Sequence, residues 1–269
     1  MKHAWLIIAH NEFGILQRLV SMLDDERSDF FIHIDKKVRD LPAIHVDKGR
    51  VYFLNSRIDV RWGTFSQIQA EMALFSAAAE KNGYDYFHII SGTTLPLKSF
   101  DELDAYFSGM AGKSVVTGLC KDEPYQETLK IHRYNLFMKN YASGNAFLRR
   151  TSQFLWKSCI AIQRMMGFRI NQDGVFHKAS NWVSLTREAV MYLLSREDAI
   201  SKIYRHSFCG DEYFVPSELM SSPKFGNRIV DDEFYLKHTI GRSNAETLRM
   251  EDYPALQQSQ YLFARKFVQ

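Results

Sequence analysis

The sequence predicts an α/β fold, with a Rossmann-like βαβ half at the N-terminus and a mixed central sheet flanked by helices, in a single domain over residues 1–269. Three observations carry that expectation. Ala4-Trp5-Leu6-Ile7-Ile8-Ala9 is a continuous apolar run, which a parallel strand buried on both faces requires. Ile15, Leu16, Leu19, Val20 and Leu23 then recur with the spacing of one helix face, in a helix opened by His10-Asn11-Glu12. A second apolar run, Phe30-Phe31-Ile32-His33-Ile34, ends on Asp35 and completes strand, helix and strand. Ligands in such sheets bind at the carboxyl ends of the strands, where Asn11 and Asp35 fall.

The remaining elements follow in order. Val51-Tyr52-Phe53-Leu54 reads as a third, short strand. Arg61-Trp62-Gly63-Thr64-Phe65-Ser66 leads into an alanine-rich amphipathic helix over residues 67–81, with Trp62 read as a core anchor. Residues 86–90 form the next strand, and the small-residue loop 91–99, fixed by Pro96, precedes a helix over 100–107. Val115-Val116-Thr117 is another strand. Residues 121–173 are basic, aromatic and helical in character, with Arg133-Tyr134, Arg149-Arg150 and an amphipathic stretch over 154–166. A strand over 180–185 and a helix over 186–194 come next. Pro216 lacks an N–H and suits only a first helical turn, so a helix is expected to begin near Glu212. A short strand over 228–230, a small helix at 251–253 and the aromatic run 261–267 close the chain. His10, His33 and His88 are read as hydrogen-bonded core histidines, and Phe263 and Phe267 as anchors that dock the terminal segment.

Composition bounds the chemistry. Apolar content of 46% and charged content of 24% belong to an ordinary globular protein. A formal charge of +3 is too small to argue for nucleic acid and suits weak contact with an anionic ligand or membrane surface. Three separated cysteines with no CxxC suggest neither a disulfide framework nor a zinc site, and point to a reducing cytoplasm. No run reaches the roughly 18 apolar residues of a membrane span, so peripheral attachment at the inner membrane face is the most that is expected. The mechanical parts of P-loop, dinucleotide, nucleophile-elbow and zincin sites are missing. There is also no Asp-x-Asp to hold Mn²⁺ or Mg²⁺ against a diphosphate, so arginine and lysine would have to replace a metal.

Cys209-Gly210-Asp211-Glu212-Tyr213-Phe214 places adjacent carboxylates between aromatic residues. Two readings are open on this hexapeptide alone. Asp211 and Glu212 serve as an N-cap and a first-turn acid facing the helix dipole, or one of them is a general base.

In these residues the chain resembles the core-2/I-branching β-1,6-N-acetylglucosaminyltransferases, a family that includes peptide xylosyltransferases. The resemblance rests on His33-Ile34-Asp35-Lys36-Lys37, Val60-Arg61-Trp62-Gly63 with Ser66 and Ala70, and Ser91-Gly92 through Leu95-Pro96-Leu97-Lys98. It continues in Trp182 with Arg187-Glu188, Asp211-Glu212, and Leu262-Phe263-Ala264-Arg265-Lys266-Phe267, while residues 120–175 match poorly. It implies a GT-A fold, with residues 1–120 as a nucleotide-binding half and 121–269 as an acceptor-binding and catalytic half. It further implies inversion at the anomeric carbon, a UDP-sugar donor with GlcNAc as first choice, a glycan or lipid-linked saccharide acceptor, and neither metal nor other cofactor.

By the same resemblance Glu212 is the catalytic base, Ile7 and Asp35 contact uridine, and Lys266 with Arg265 neutralises the diphosphate. The partner arginine is Arg242 first and Arg249 second. Trp182, Asp211, Tyr235 and either Glu123 or Glu127 contact the donor or acceptor sugar, with Asp211 also capping the helix and aiming Glu212. The acidic run Asp231-Asp232-Glu233 replaces aromatic residues of the family's acceptor site. Rival readings are a xylosyltransferase or other hexosyltransferase of the same fold, and a catalytically silent sugar-nucleotide or glycan-binding domain.

Overall fold

The structure, a computed structural model, describes residues 1–81, 83–237 and 246–269. Its N-terminal half comprises β1 (His3–Ala9), α1 (Phe13–Met22), β2 (Ser28–Ile34), β3 (Arg50–Phe53), α2 (Ser66–Ala79), β4 (Tyr86–Ser91), β5 (Leu95–Pro96), α3 (Phe100–Gly109) and β6 (Ser114–Val116). The second half holds α4 (Pro124–Lys130), α5 (Ala146–Met165), β7 (Ser184–Thr186), α6 (Arg187–Ser195), α7 (Glu197–Tyr204), α8 (Phe214–Met220), β8 (Ile229–Asp231), β9 (Leu236–Lys237), α9 (Tyr253–Gln257) and β10 (Phe263–Ala264).

A seven-stranded sheet runs in the order β3-β2-β1-β4-β7-β6-β8. β1 pairs in parallel with β2 and β4, setting Ile7 opposite Ile32 and Ile90, whereas β7 pairs antiparallel to both β4 and β6. This is the mixed α/β sheet expected, with its parallel part on the N-terminal side. Side chains alternate across it as a pleat demands. Ala4 and Leu6 face a core shared with α2, α6 and α8, while Trp5, Ile7 and Ala9 face a second core shared with α1, α3 and β10. Its central strands β1, β2 and β4 are buried on both faces, which explains why they read as continuous apolar runs.

Two local features differ from expectation. The strand expected over 180–185 is reduced to β7 at Ser184–Thr186, with the Ile89 amide of β4 donating to the Val183 carbonyl just before it. Residues 179–182 run off the sheet, the Ala179 amide donating to the Glu212 carbonyl and the Ser180 amide to the Thr117 carbonyl, and so tie it to the 209–212 turn. The segment near Glu212 is a 3-10 turn, Gly210–Glu212, with α8 beginning at Phe214 and Pro216 in its first turn. The region between β6 and β7 leaves and re-enters the sheet through a two-bond neck. The Cys120 amide donates to the Lys178 carbonyl and the Lys178 amide to the Cys120 carbonyl, both at 2.8 Å. Within it α5 is anchored by a satellite core of Met138, Trp156 and Ile160 that packs on Phe208.

The C-terminal segment is docked as expected: Phe263 and Phe267 are fully buried, β10 pairs with β5 and β9, and the Phe267 amide donates to the Thr93 carbonyl. Lys98 is not a free surface charge, since its ammonium donates to the Ser259 carbonyl at 2.7 Å. Among the described residues no helix is long and apolar enough to cross a membrane. Phe87, with no exposed surface, lies on β4 between β1 and β7, where it pairs with Ala4 and Leu185. Phe87→Ala is expected to destabilise the fold by about 3–5 kcal/mol, read from the urea unfolding midpoint.

Candidate active site

The turn that carries Asp211 and Glu212 is latched to the start of α2. Cys209 adopts a left-handed conformation, and a Cβ on Gly210 would lie 2.1 Å from Ser207 Oγ, so a side chain there would have to displace the Ser207 hydroxyl from its bond to the Tyr204 carbonyl. The Cys209 amide donates to the Gly63 carbonyl at 3.0 Å. Gln67 completes the latch, its Nε2 donating to Asp211 Oδ2 at 2.6 Å while its Oε1 accepts from the Gly63 amide. Gly63 also has a positive φ and lies over the Phe208 ring, where a Cβ would come within 2.6 Å. Trp62 is not a core anchor: it is half exposed, edge-on to Phe208 and stacked on Tyr141.

The two adjacent carboxylates occupy opposite environments. Asp211 is buried and makes no helix cap; burial first, then the Glu212 charge, raises its pKa to about 7. Behind it Glu71 of α2 is wholly enclosed, and burial together with the Asp211 charge pushes its pKa well above the usual range. Glu212 turns the other way, with about a third of its side chain (35%) exposed. Its Oε2 faces Lys178 Nζ at 3.6 Å and Lys130 Nζ at 3.8 Å, distances of ion pairing rather than hydrogen bonding.

Asp122 shares both lysines, at 3.0 Å from Lys130 and 3.9 Å from Lys178, and accepts a hydrogen bond from the Tyr213 hydroxyl. Burial pushes the Asp122 carboxyl up, but the hydrogen bonds from Tyr213 and Lys130 outweigh it and hold the pKa below the ordinary value. For Lys178 desolvation is likewise overcome, here by the Glu212 and Asp122 charges, and its pKa is raised. Two carboxylates and two ammonium groups thus balance in a partly open cluster, with a lone pair of Glu212 available to a hydroxyl.

The second half of the site lies at the carboxyl ends of β1 and β2. Asp35 is buried, accepting from the Lys37 amide at 2.8 Å and the Lys37 ammonium at 2.7 Å, with lone pairs to spare. His10 is exposed, not a core histidine; partial desolvation and then the Lys266 charge lower its pKa. His33 and His88 are buried and hydrogen-bonded as expected. Beside half-buried Lys266, the Arg265 guanidinium lies 4.7 Å over the Trp182 ring, with its enclosed Nε unpartnered. Desolvation lowers the Arg265 pKa to about 10. Trp182 is three residues after Ala179, whose amide meets Glu212, so this one segment runs between the two halves of the site.

Other expected contacts fall elsewhere. Ile7 has no accessible surface and packs between neighbouring strands. Tyr235 is equally buried, with its hydroxyl bonded to Ser184 Oγ at 2.9 Å. Glu123 is exposed at the start of α4, and Glu127 is paired with His132 at 3.1 Å; neither joins the lysine cluster, which takes Asp122 instead. Arg249 is exposed beside the Lys266 strand, where the Leu248 amide donates to the Lys266 carbonyl. Arg242 lies outside the described residues. Asp122, Lys130, Lys178 and Gln67 were not singled out from sequence. Asp122 and Lys130 fall in the stretch with least resemblance, and no local spacing connects either to Lys178. Among the described residues no group of three or more His, Cys, Asp or Glu side chains converges as a metal site.

Fold and candidate site together define an α/β protein whose polar residues gather at the carboxyl ends of parallel strands and at the 209–212 turn. The chain belongs to the Core-2/I-Branching enzyme family, whose family model matches residues 3–250. Among curated relatives, xylosyltransferase 2 of Rattus norvegicus is 24% identical over 233 residues, covering 82% of this chain and 24% of that protein. Xylosyltransferase 2 of Mus musculus is 22% identical over 291 residues, covering 98% of this chain and 31% of that protein. The chain therefore spans less than a third of the length of these relatives. Among solved structures, the apo form of mouse xyloside xylosyltransferase 1 aligns with a TM-score of 0.42 at 9% identity, over 98% of this chain and 97% of that one.

Asp211 makes the stability of the fold pH-dependent. Its carboxyl rises from 3.8 to about 7 on folding, so its contribution is fully present below pH 3.8 and is lost as pH climbs to about 7. Asp211→Asn should flatten the fall in unfolding free energy across that window by up to about 1.4 kcal/mol per pH unit, measured by urea titration at successive pH values.

Proposed function

We propose that this chain is an inverting, metal-independent glycosyltransferase that moves a sugar from a UDP-sugar to a hydroxyl of a glycan or lipid-linked saccharide. The observation that carries the reading is the setting of Glu212. It is latched in position, is partly open, and lies at ion-pair but not hydrogen-bond distance from Lys130 and Lys178. An acceptor hydroxyl entering there donates to Glu212 as its oxygen attacks C1 of the donor sugar. The new O–C1 bond forms as the C1–diphosphate bond breaks on the opposite face, the proton stays on Glu212, and UDP departs with the bonding electrons. Lys266, with Arg265 behind it, neutralises the charge that develops on the diphosphate. Asp35 takes polar atoms of the nucleoside at the strand ends. Asp122 and Lys178 orient hydroxyls of the bound sugars around the base.

Two donor sugars are in play. GlcNAc is the one the sequence motifs imply, and xylose is favoured by the name xylosyltransferase 2 that the curated relatives carry. Turnover with a panel of UDP-sugars decides between them.

Glu212→Gln should lower turnover of the productive UDP-sugar by 10² to 10⁴, the usual range for a positioned base, while UDP binding by calorimetry stays unchanged. Retained turnover in that variant refutes the base assignment. A wild type that binds UDP but turns over no donor supports the silent binding domain instead. Lys266→Ala should weaken binding of UDP much more than of uridine. EDTA should leave turnover intact; abolition by EDTA with recovery on adding Mn²⁺ overturns the cationic account of the diphosphate.

A further inference from the structure

From residue 128 to residue 172 the chain contains no aspartate or glutamate, yet it carries eight lysines and arginines. Most of the exposed large hydrophobic side chains among the described residues also fall in this stretch. They converge on α5. At 100° per residue, Ser152, Trp156, Ile160 and Gln163 point inward and are buried, while Phe147, Phe154 and Met165 project together from the opposite face. These three are 76%, 69% and 83% exposed. Arg150, Lys157 and Arg164 follow one another at intervals of seven and form a basic row along one edge of that apolar face. The inner face is well satisfied, with Trp156 Nε1 donating to Asn135 Oδ1 and Gln163 bonded to the main chain of Tyr134. The outer face is therefore not a core stripe lacking its own fold.

We infer that the outer face of α5 docks this protein on a membrane surface containing anionic phospholipid. Phe147, Phe154 and Met165 enter the acyl boundary, and Arg150, Lys157 and Arg164 meet the phosphate headgroups. Charge complementarity selects this occupant. A second copy docking through the same face would bring basic rows together with no acidic residue from this stretch to compensate. A nucleic acid would leave the projecting phenyl and thioether groups without an apolar partner. The inference does not depend on the transfer reaction, so either reading can be overturned while the other stands.

The test is flotation of the full chain with phosphatidylcholine vesicles and with phosphatidylcholine–phosphatidylglycerol vesicles. The wild type is expected to float with the anionic vesicles and to dissociate as salt rises. The R150Q/K157Q/R164Q variant should lose affinity on the order of a hundredfold, from three surface charges. The F147S/F154S variant should lose binding to anionic vesicles even at low salt. Both should keep the wild-type thermal shift with UDP, since neither touches the cleft. Equal flotation with neutral and anionic vesicles, unchanged binding in the charge variant, or no flotation at all overturns the inference. So does an oligomer seen by sedimentation that F147S/F154S dissociates while vesicles remain unbound.

Discussion

The geometry of the candidate site depends on the hydrogen bonds of Gln67, which reach the 209–212 turn across 144 positions of sequence. A turn with a left-handed cysteine followed by a glycine has several ways to fold, and isolated 3-10 turns are weak. Gln67 selects one by donating to Asp211 and accepting from Gly63, each of which anchors a different side of the turn. The glycine at 63 lets Phe208 approach the backbone closely, and Phe208 in turn packs on the satellite core that holds α5. A single amide side chain therefore coordinates α2, the 209–212 turn and the insert.

Adjacent acids divided between core and cleft give the turn its chemical polarity. Asp211, backed by Glu71, faces a desolvated interior that favours the neutral carboxyl. Glu212 faces two ammonium groups and solvent. The same backbone turn thus yields one inward, enclosed carboxyl and one outward carboxylate facing two ammonium groups. The helix cap that Asp211 could have formed is given up in favour of the bond from Gln67.

The parallel half was legible because both faces of its sheet are buried, and double burial writes itself as uninterrupted apolar runs. The strand-end Asp35 and the docked Phe263 and Phe267 followed from the same logic. Pairings made over long distance were not legible. Asp122 joins Lys178 only because the chain returns to its own neck, and the adjacent Glu123 and Glu127 offer the same charge at positions no sequence rule distinguishes. Residues 180–182 have strand-like composition, but the Ser180 amide is spent on the Thr117 carbonyl and the Trp182 amide on the Ser180 hydroxyl, and contact with β4 begins only at the Val183 carbonyl. Tyr235, an aromatic in an expected binding stretch, is turned inward by its bond to Ser184.

The paired amides of Cys120 and Lys178 give the middle of the chain an unusual independence. A loop whose two ends already touch can be lengthened, shortened or exchanged with little added closure entropy, because that cost grows only with the logarithm of length. The sheet would keep its register through such a change, since the strands on either side are fixed by their own partners. Lys178 sits at the seam and also faces Glu212, so replacement segments would inherit one fixed charge at that carboxylate whatever else they brought. The architecture allows what this molecule meets at its outer surface to diversify while the machinery beneath stays as it is.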